Sequence, residues 1–178
     1  VDWHGDPARK QAMVFQRPVM LRRTVAANVD YALSLKGIDR RTCAERTSKV
    51  LERTGLAHLA HTPARVLSFG EQQKLALARA WALKPHVLFL DEPTASLDPA
   101  ATHAIEDVID AIHNSGTRII MTTHDLAQAK RLADDVLFIH RGELLESATA
   151  DSFFSRPVSP QARAFLEGQL LWQDAPET

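Results

Sequence analysis

Ser68, Gly70 and Glu71 stand at the head of a run with helical apolar spacing, and Asp91 and Glu92 close the apolar run Val87-Leu88-Phe89-Leu90 one helix later. Two chemistries are open to the first group. S-x-x-E before a helix is a capping box, in which Ser68 accepts from the Glu71 amide while Glu71 reaches back. A helix N-terminus with a glycine at position 70 also leaves backbone amides unshielded, and such amides attract anions. The second group falls where ligands collect in α/β sheets, just outside the carboxyl ends of strands. Asp98 before Pro99 reads as an N-cap followed by a favoured first helical residue. His124 follows Met121-Thr122-Thr123 and precedes Asp125, a further N-cap, where an imidazole can serve packing or chemistry. Gln16 ends another short apolar run.

Positioning these groups calls for strands and helices in alternation. Residues 12–15 read as a buried strand stopped by Gln16-Arg17-Pro18. Apolar residues at helical spacing mark helices at 25–35 and 40–54, a compact insertion. Ser68 opens a helix through about Leu83, stopped by Lys84-Pro85. Residues 87–90 read as a strand buried on both faces, as in a parallel sheet. A helix at 99–113, a strand at 118–122, a helix at 126–133 and a strand at 136–139 follow. Gly142 turns the chain into a short strand near Leu144-Leu145, and helices around 150–154 and 160–167 lead to a polar tail. The alternation implies right-handed βαβ crossovers and a mostly parallel sheet. Val1 reads as the tail of a strand whose earlier part is missing.

Composition narrows the classes. With 45% hydrophobic and 24% charged residues the chain is neither disordered nor membrane-embedded in character. No apolar run approaches the ~20 residues that span a bilayer, so a soluble protein is expected. A net charge of -1 gives no field for gripping a polyanion of nucleic-acid length, so no nucleic-acid partner is expected. The single cysteine, Cys43, fits a reducing compartment. The first six residues do not read as a signal peptide.

In order and approximate spacing, Gln16, Leu67-Ser68-Phe69-Gly70-Glu71-Gln72-Gln73, Asp91-Glu92, Ser96-Leu97-Asp98 and His124 resemble the Q-loop, signature, Walker B, D-loop and switch histidine of ABC-type ATPases. The resemblance implies an α/β P-loop NTPase fold, with a mostly parallel sheet and a helical subdomain, that uses ATP and Mg²⁺. It further implies that Asp91 holds Mg²⁺ through water, that Gln16 touches the ion or its water, and that Glu92 orients and deprotonates the attacking water. His124 would contact the γ-phosphate and that water. Ser68, Gly70 and Glu71 of the signature, with Asp98 of the D-loop, would serve a nucleotide held mainly by a second copy of the subunit. Phe69 stands where the commonest signature has its first glycine. No Gly-Lys dipeptide occurs, so the loop G-x-x-x-x-G-K-[ST] is absent. The expected fold is therefore a partial ABC domain over 1–178, without its N-terminal strands and Walker A loop. Residues 24–83 would form the helical and signature subdomain, 84–147 the core from Walker B past the switch histidine, and 148–178 a helical tail. Exposed apolar surface is expected around Val14, Leu88 and Ile120.

Among ABC-type ATPases, only about 50 residues between Gln16 and Leu67 leave no room for the long coiled coils of DNA-repair members. The paired heads and charged linker of the translation-associated class are also missing. What remains resembles a transporter subunit: a homodimeric ATPase on the cytoplasmic face of the membrane, docked on transmembrane permease subunits and served indirectly by an extracytoplasmic solute-binding protein. Residues 14–25, 67–81 and 165–172 look most like importer ATPases for oxyanions, especially tungstate; phosphate, molybdate and polar amino-acid importers share most of these features. The competing class is a catalytically incompetent piece that only docks on transporter partners.

Overall fold

The structure is a computed structural model, and it describes residues 11–169. The reading of Val1 as a strand tail, and the sequence beyond Gln169, lie outside the described residues. The described chain divides after Thr122 into two compact units. That division falls inside the stretch 84–147 read from the sequence as one core segment.

The first unit runs β1 (Gln11–Val14), α1 (Val25–Ser34), α2 (Arg40–Arg53), α3 (Phe69–Ala82), β2 (Val87–Asp91), α4 (Pro99–Asn114) and β3 (Arg118–Thr122). Its strands form one parallel sheet in the order β1-β2-β3, with Val14 opposite Leu90 and Asp91 opposite Thr122. Because the order advances in one direction, successive right-handed crossovers carry α3 and α4 to the same face. Contacts agree: α3 packs on β1 and α4, and α4 packs on β3. Val14, Leu88 and Leu90 therefore enter the core, with Ala12, Ile119 and Met121 packed against it.

Among the described residues of this unit the other face is left open, which corrects two expectations. Alternate strand residues face opposite sides, so Met13, Phe89 and Ile120 share the open face. Met13 is 51% and Ile120 46% exposed, whereas Val14 is 3% and Leu88 0% exposed. Exposed apolar surface exists as expected, but among the three residues named for it only Ile120 carries it. For the same reason β2 is buried on one face only.

The helical elements are held by local chemistry. Thr24, Asp39, Ser68 and Asp98 each cap the helix that follows with a side-chain oxygen. Asn28, fully buried, accepts from the Leu21 amide at 3.1 Å and donates to the carbonyls of Arg23 and Thr24 at 3.3 and 2.9 Å. It thereby ties the segment after Gln16 to α1. Eight of the fourteen residues of α3 are buried, Leu75 and Leu77 among them, and none is fully exposed.

The second unit holds α5 (Leu126–Leu132), β4 (Asp135–His140), β5 (Glu143–Thr149), α6 (Ala150–Ser155) and α7 (Pro160–Leu166). The turn expected at Gly142 is present, and the pair it joins is the antiparallel part of a mostly parallel set of strands. β4 pairs antiparallel with β5 around Arg141-Gly142, whose φ angles of 52° and 82° suit a tight turn, and β5 is longer than the short strand expected. Phe138 packs on Phe153 and Phe165 at ring distances of 5.9 and 5.5 Å. Glu146 accepts from the amides of Val158 and Ser159 at 2.9 and 2.8 Å, and these bonds hold its carboxyl below the usual range.

Candidate functional site

Parallel strands put their carboxyl ends at one edge of the sheet, so β1, β2 and β3 deliver Gln16, Asp91-Glu92 and Thr122 to the same edge. Gln16 lies exposed, two residues past β1. Asp91 and Glu92 are half-exposed. The α3 helix returns antiparallel to β2 through a short turn, so its N-terminus points back to that edge; 14 residues of helix make about 21 Å against about 16 Å for five residues of strand. Gln73, fully buried in α3, donates to the Phe15 carbonyl at 3.5 Å and so links this helix to the segment carrying Gln16.

The Asp91 carboxylate and the Glu92 backbone are held by Thr122, a residue not singled out from the sequence. The Thr122 hydroxyl donates to Asp91 Oδ1 at 3.0 Å and accepts from the Glu92 amide at 3.3 Å, and that amide also reaches the Thr122 carbonyl at 3.1 Å. The Glu92 carbonyl accepts from the Ala95 amide at 3.1 Å. These bonds hold Glu92 at a φ of 41°, a left-handed backbone that is strained for a residue with a Cβ. The chain thus turns sharply at the strand end. Only the register, which sets Thr122 opposite Asp91, could have exposed this clasp.

At the start of α3 the capping box is complete. The Ser68 amide and hydroxyl donate to Glu71 Oε2 at 2.8 and 2.7 Å, and Ser68 Oγ accepts from the Glu71 amide at 3.3 Å. The Ser68 hydroxyl, then its amide, hold the Glu71 carboxyl below its usual range. An ionised carboxylate only accepts, so the single Ser68 hydroxyl proton is committed to Glu71. Gly70 packs toward the next helix: a Cβ there would meet Ala101 Cβ at 3.4 Å and Leu97 Cδ2 at 3.7 Å, ordinary contact distances. Packing alone therefore does not demand glycine at this position. The same neighbours flank Asp98, which caps α4 by accepting from the Ala101 amide at 2.8 Å. Ser68, Gly70 and Asp98 are thus brought together at adjoining helix N-termini. His124 lies exposed in the second unit, two residues beyond β3 and just before the Asp125 cap of α5.

A parallel sheet with two adjacent acids at its carboxyl edge, flanked by a capped helix N-terminus carrying Ser-x-Gly, defines an α/β ATPase fold of the ABC type. Comparison with known proteins agrees. A family model described as ABC transporter matches residues 2–95. The phosphate import ATP-binding protein PstB 1 of Vibrio parahaemolyticus is 39% identical over 166 residues, covering 90% of this chain and 61% of the relative. The phosphate import ATP-binding protein PstB 2 of Natronomonas pharaonis is 38% identical over 173 residues, 92% of this chain and 61% of the relative. Among solved structures, CbiO1 of Clostridium perfringens, described as part of the ABC transporter complex CbiONQ, superposes with a TM-score of 0.77 at 28% identity, over 84% of this chain and 61% of that one. The chain belongs to the ABC transporter family. It spans about three-fifths of the length of these relatives.

Proposed function

We propose that this chain is part of the ATP-hydrolysing subunit of an ABC importer, which energises solute uptake through membrane permease subunits. The carrying observation is the gathering of Gln16, Asp91 and Glu92 at one sheet edge, with Ser68, Gly70 and Asp98 at the adjoining helix N-termini. In this reading Asp91 holds Mg²⁺ through water and Gln16 touches the ion or its water. The described residues contain no cluster of three or more His, Cys, Asp and Glu that could cage a metal. Mg²⁺ takes one or two carboxylates and completes its shell with phosphate oxygens and water. Bound MgATP supplies the γ-phosphoryl group and part of the charge neutralisation. Glu92 accepts the proton of the attacking water, and His124 steadies that water and the γ-phosphate.

Ser68 and the Gly70 amide serve the nucleotide of a second copy, with Glu71 and Asp98 holding the two helix starts. To donate to a phosphate oxygen, Ser68 must release Glu71, so the contact exchanges one anionic acceptor for another. The assembly would be a homodimer on the cytoplasmic face of the membrane, docked on permease subunits and fed by an extracytoplasmic solute-binding protein. No described helix is long and apolar enough to cross a membrane. Nucleic acid has no part in this reading. The helical segment 24–83 would carry the signature, 84–147 the hydrolytic edge and 148–178 the tail.

For the solute we propose an oxyanion. Phosphate is supported by the names of the relatives, and tungstate by the likeness of residues 14–25, 67–81 and 165–172 to importer ATPases of that kind. Uptake of labelled phosphate and of tungstate by cells with and without the intact gene tests this: uptake of either that depends on the gene supports oxyanion import, and dependence on neither refutes it. A second reading applies to the 178 residues by themselves. They contain no G-x-x-x-x-G-K-[ST] loop, which favours a piece that keeps the trans contacts and docking surfaces without hydrolysing ATP.

A further inference from the structure

At the sheet edge opposite Asp91, where β2 and β3 begin, a cleft of about 590 Å³ opens between α2, the turn from α3 to β2 and the turn from α4 to β3. This is the size of a small-molecule site. Arg46, Lys49 and Arg53 line it from α2, at the three- and four-residue spacings that put side chains on one helix face. Lys84 and His86 line it from the facing turn, where Lys84 holds a left-handed φ of 49°. Trp81, only 5% exposed, forms part of the wall. The Arg53 guanidinium lies 5.1 Å over its ring, and its indole N–H donates to Ser115 Oγ at 3.1 Å, so the ring is held from both sides.

A solvated helix face normally mixes signs, because like charges three and four residues apart weaken a helix. Here the cations converge from two elements on one cleft. The single acid lining it, Glu45, pairs with Arg41 at 3.1 Å. Among the described residues Arg46, Lys49, Arg53 and Lys84 make no ion pair. The chain as a whole carries a net charge of -1, so this is a local concentration of positive charge. Guanidinium groups match phosphate oxygens in pairs, and lysine ammonium groups add point charges from either wall.

We propose that this cleft binds a small anion carrying two or more phosphate groups, free in solution, at a site separate from the carboxylate edge. The inference does not depend on the nucleotide reading, since no residue assigned there lines the cleft.

The test titrates the 178-residue chain with inorganic pyrophosphate by calorimetry and tryptophan fluorescence, without Mg²⁺ and at about 50 mM salt to limit screening. Expected are a Kd of about 10–100 µM and a fluorescence change as Arg53 is drawn from Trp81. The double variant Arg46→Gln/Lys49→Gln should bind at least about tenfold more weakly. Lys84→Gln, on the other wall, should also weaken binding, so the result does not rest on α2 alone. Lys36→Gln, exposed and outside the cleft, should leave affinity unchanged. Without anion the double variant should melt at or above the wild-type temperature, because like-charge repulsion is removed. The proposal is overturned if pyrophosphate does not bind, if cleft variants and wild type bind equally, or if Lys36→Gln weakens binding as much as they do. A parallel arm uses vesicles of phosphatidylglycerol in phosphatidylcholine. Co-sedimentation that cleft variants abolish, without pyrophosphate binding in solution, would assign the cleft to lipid headgroups and overturn the soluble ligand.

Discussion

Replacing Ser68 with alanine tests the signature turn as a physical device. The change removes two of the three bonds in the capping box, the hydroxyl's donation to Glu71 Oε2 at 2.7 Å and its acceptance from the Glu71 amide at 3.3 Å, and leaves the Ser68 amide bond at 2.8 Å. Ser68 is exposed, so water replaces the lost partners and the cost stays near that of an ordinary N-cap, about 1 kcal/mol. For a unit of this size that lowers Tm by roughly 3–5 °C. The effect should depend on pH in one direction. Glu71 has a lowered folded pKa, so its contribution is fully present above the unfolded value of about 4.3 and is lost as pH falls through the lowered folded value. Circular-dichroism melts of wild type and Ser68→Ala at pH 7 and at about pH 3.5 give the comparison. The gap should be largest at pH 7 and shrink on acidification. An equal gap at both pH values, or none at pH 7, would show that the carboxylate does not act through Ser68.

Thr122→Val should lower stability by about 1 kcal/mol, since the Glu92 amide keeps its backbone bond while Asp91 loses its donor, and Thr122→Ser should restore most of it; equal urea midpoints for the valine variant and wild type would contradict the clasp. Gly70→Ala should leave folding within about 0.5 kcal/mol of wild type, because the new methyl meets neighbours at ordinary distances, yet slow hydrolysis in the assembled ATPase at least about tenfold; unfolding of the variant would place the need for glycine inside the chain. The 178 residues alone should hold MgATP no better than millimolar, about -4 kcal/mol, and show no turnover; micromolar binding by calorimetry, abolished by Asp91→Asn, would reveal a complete phosphate site within these residues.

What the sequence disclosed was mostly local. Ser68, Asp98 and Asp125 announce helix starts because a cap is chosen by the few residues after it, and the capping box between Ser68 and Glu71 formed as read. The strand at 118–122 and the helices near 25, 40, 99 and 126 were legible for the same reason. The misreadings needed information from distant residues. Which side of β2 is buried depends on α3 and α4 both crossing on one face, so Val14 and Leu88 were assigned to the wrong side. At the candidate site, residue types gave Asp91 and Glu92, but the Thr122 clasp and the left-handed backbone of Glu92 follow from strand register and turn geometry. No alternating pattern records those.

The central claim is that Glu92 is the hydrolytic base of an ATP-driven transporter subunit. Steady-state phosphate release from MgATP by the full gene product, wild type against Glu92→Gln, tests it most directly. Glutamine keeps the shape of the side chain but cannot take a proton, so turnover should fall by about 10²–10⁴-fold while ATP affinity stays within about threefold of wild type. Turnover near wild type in the glutamine variant would contradict the account and assign the base elsewhere.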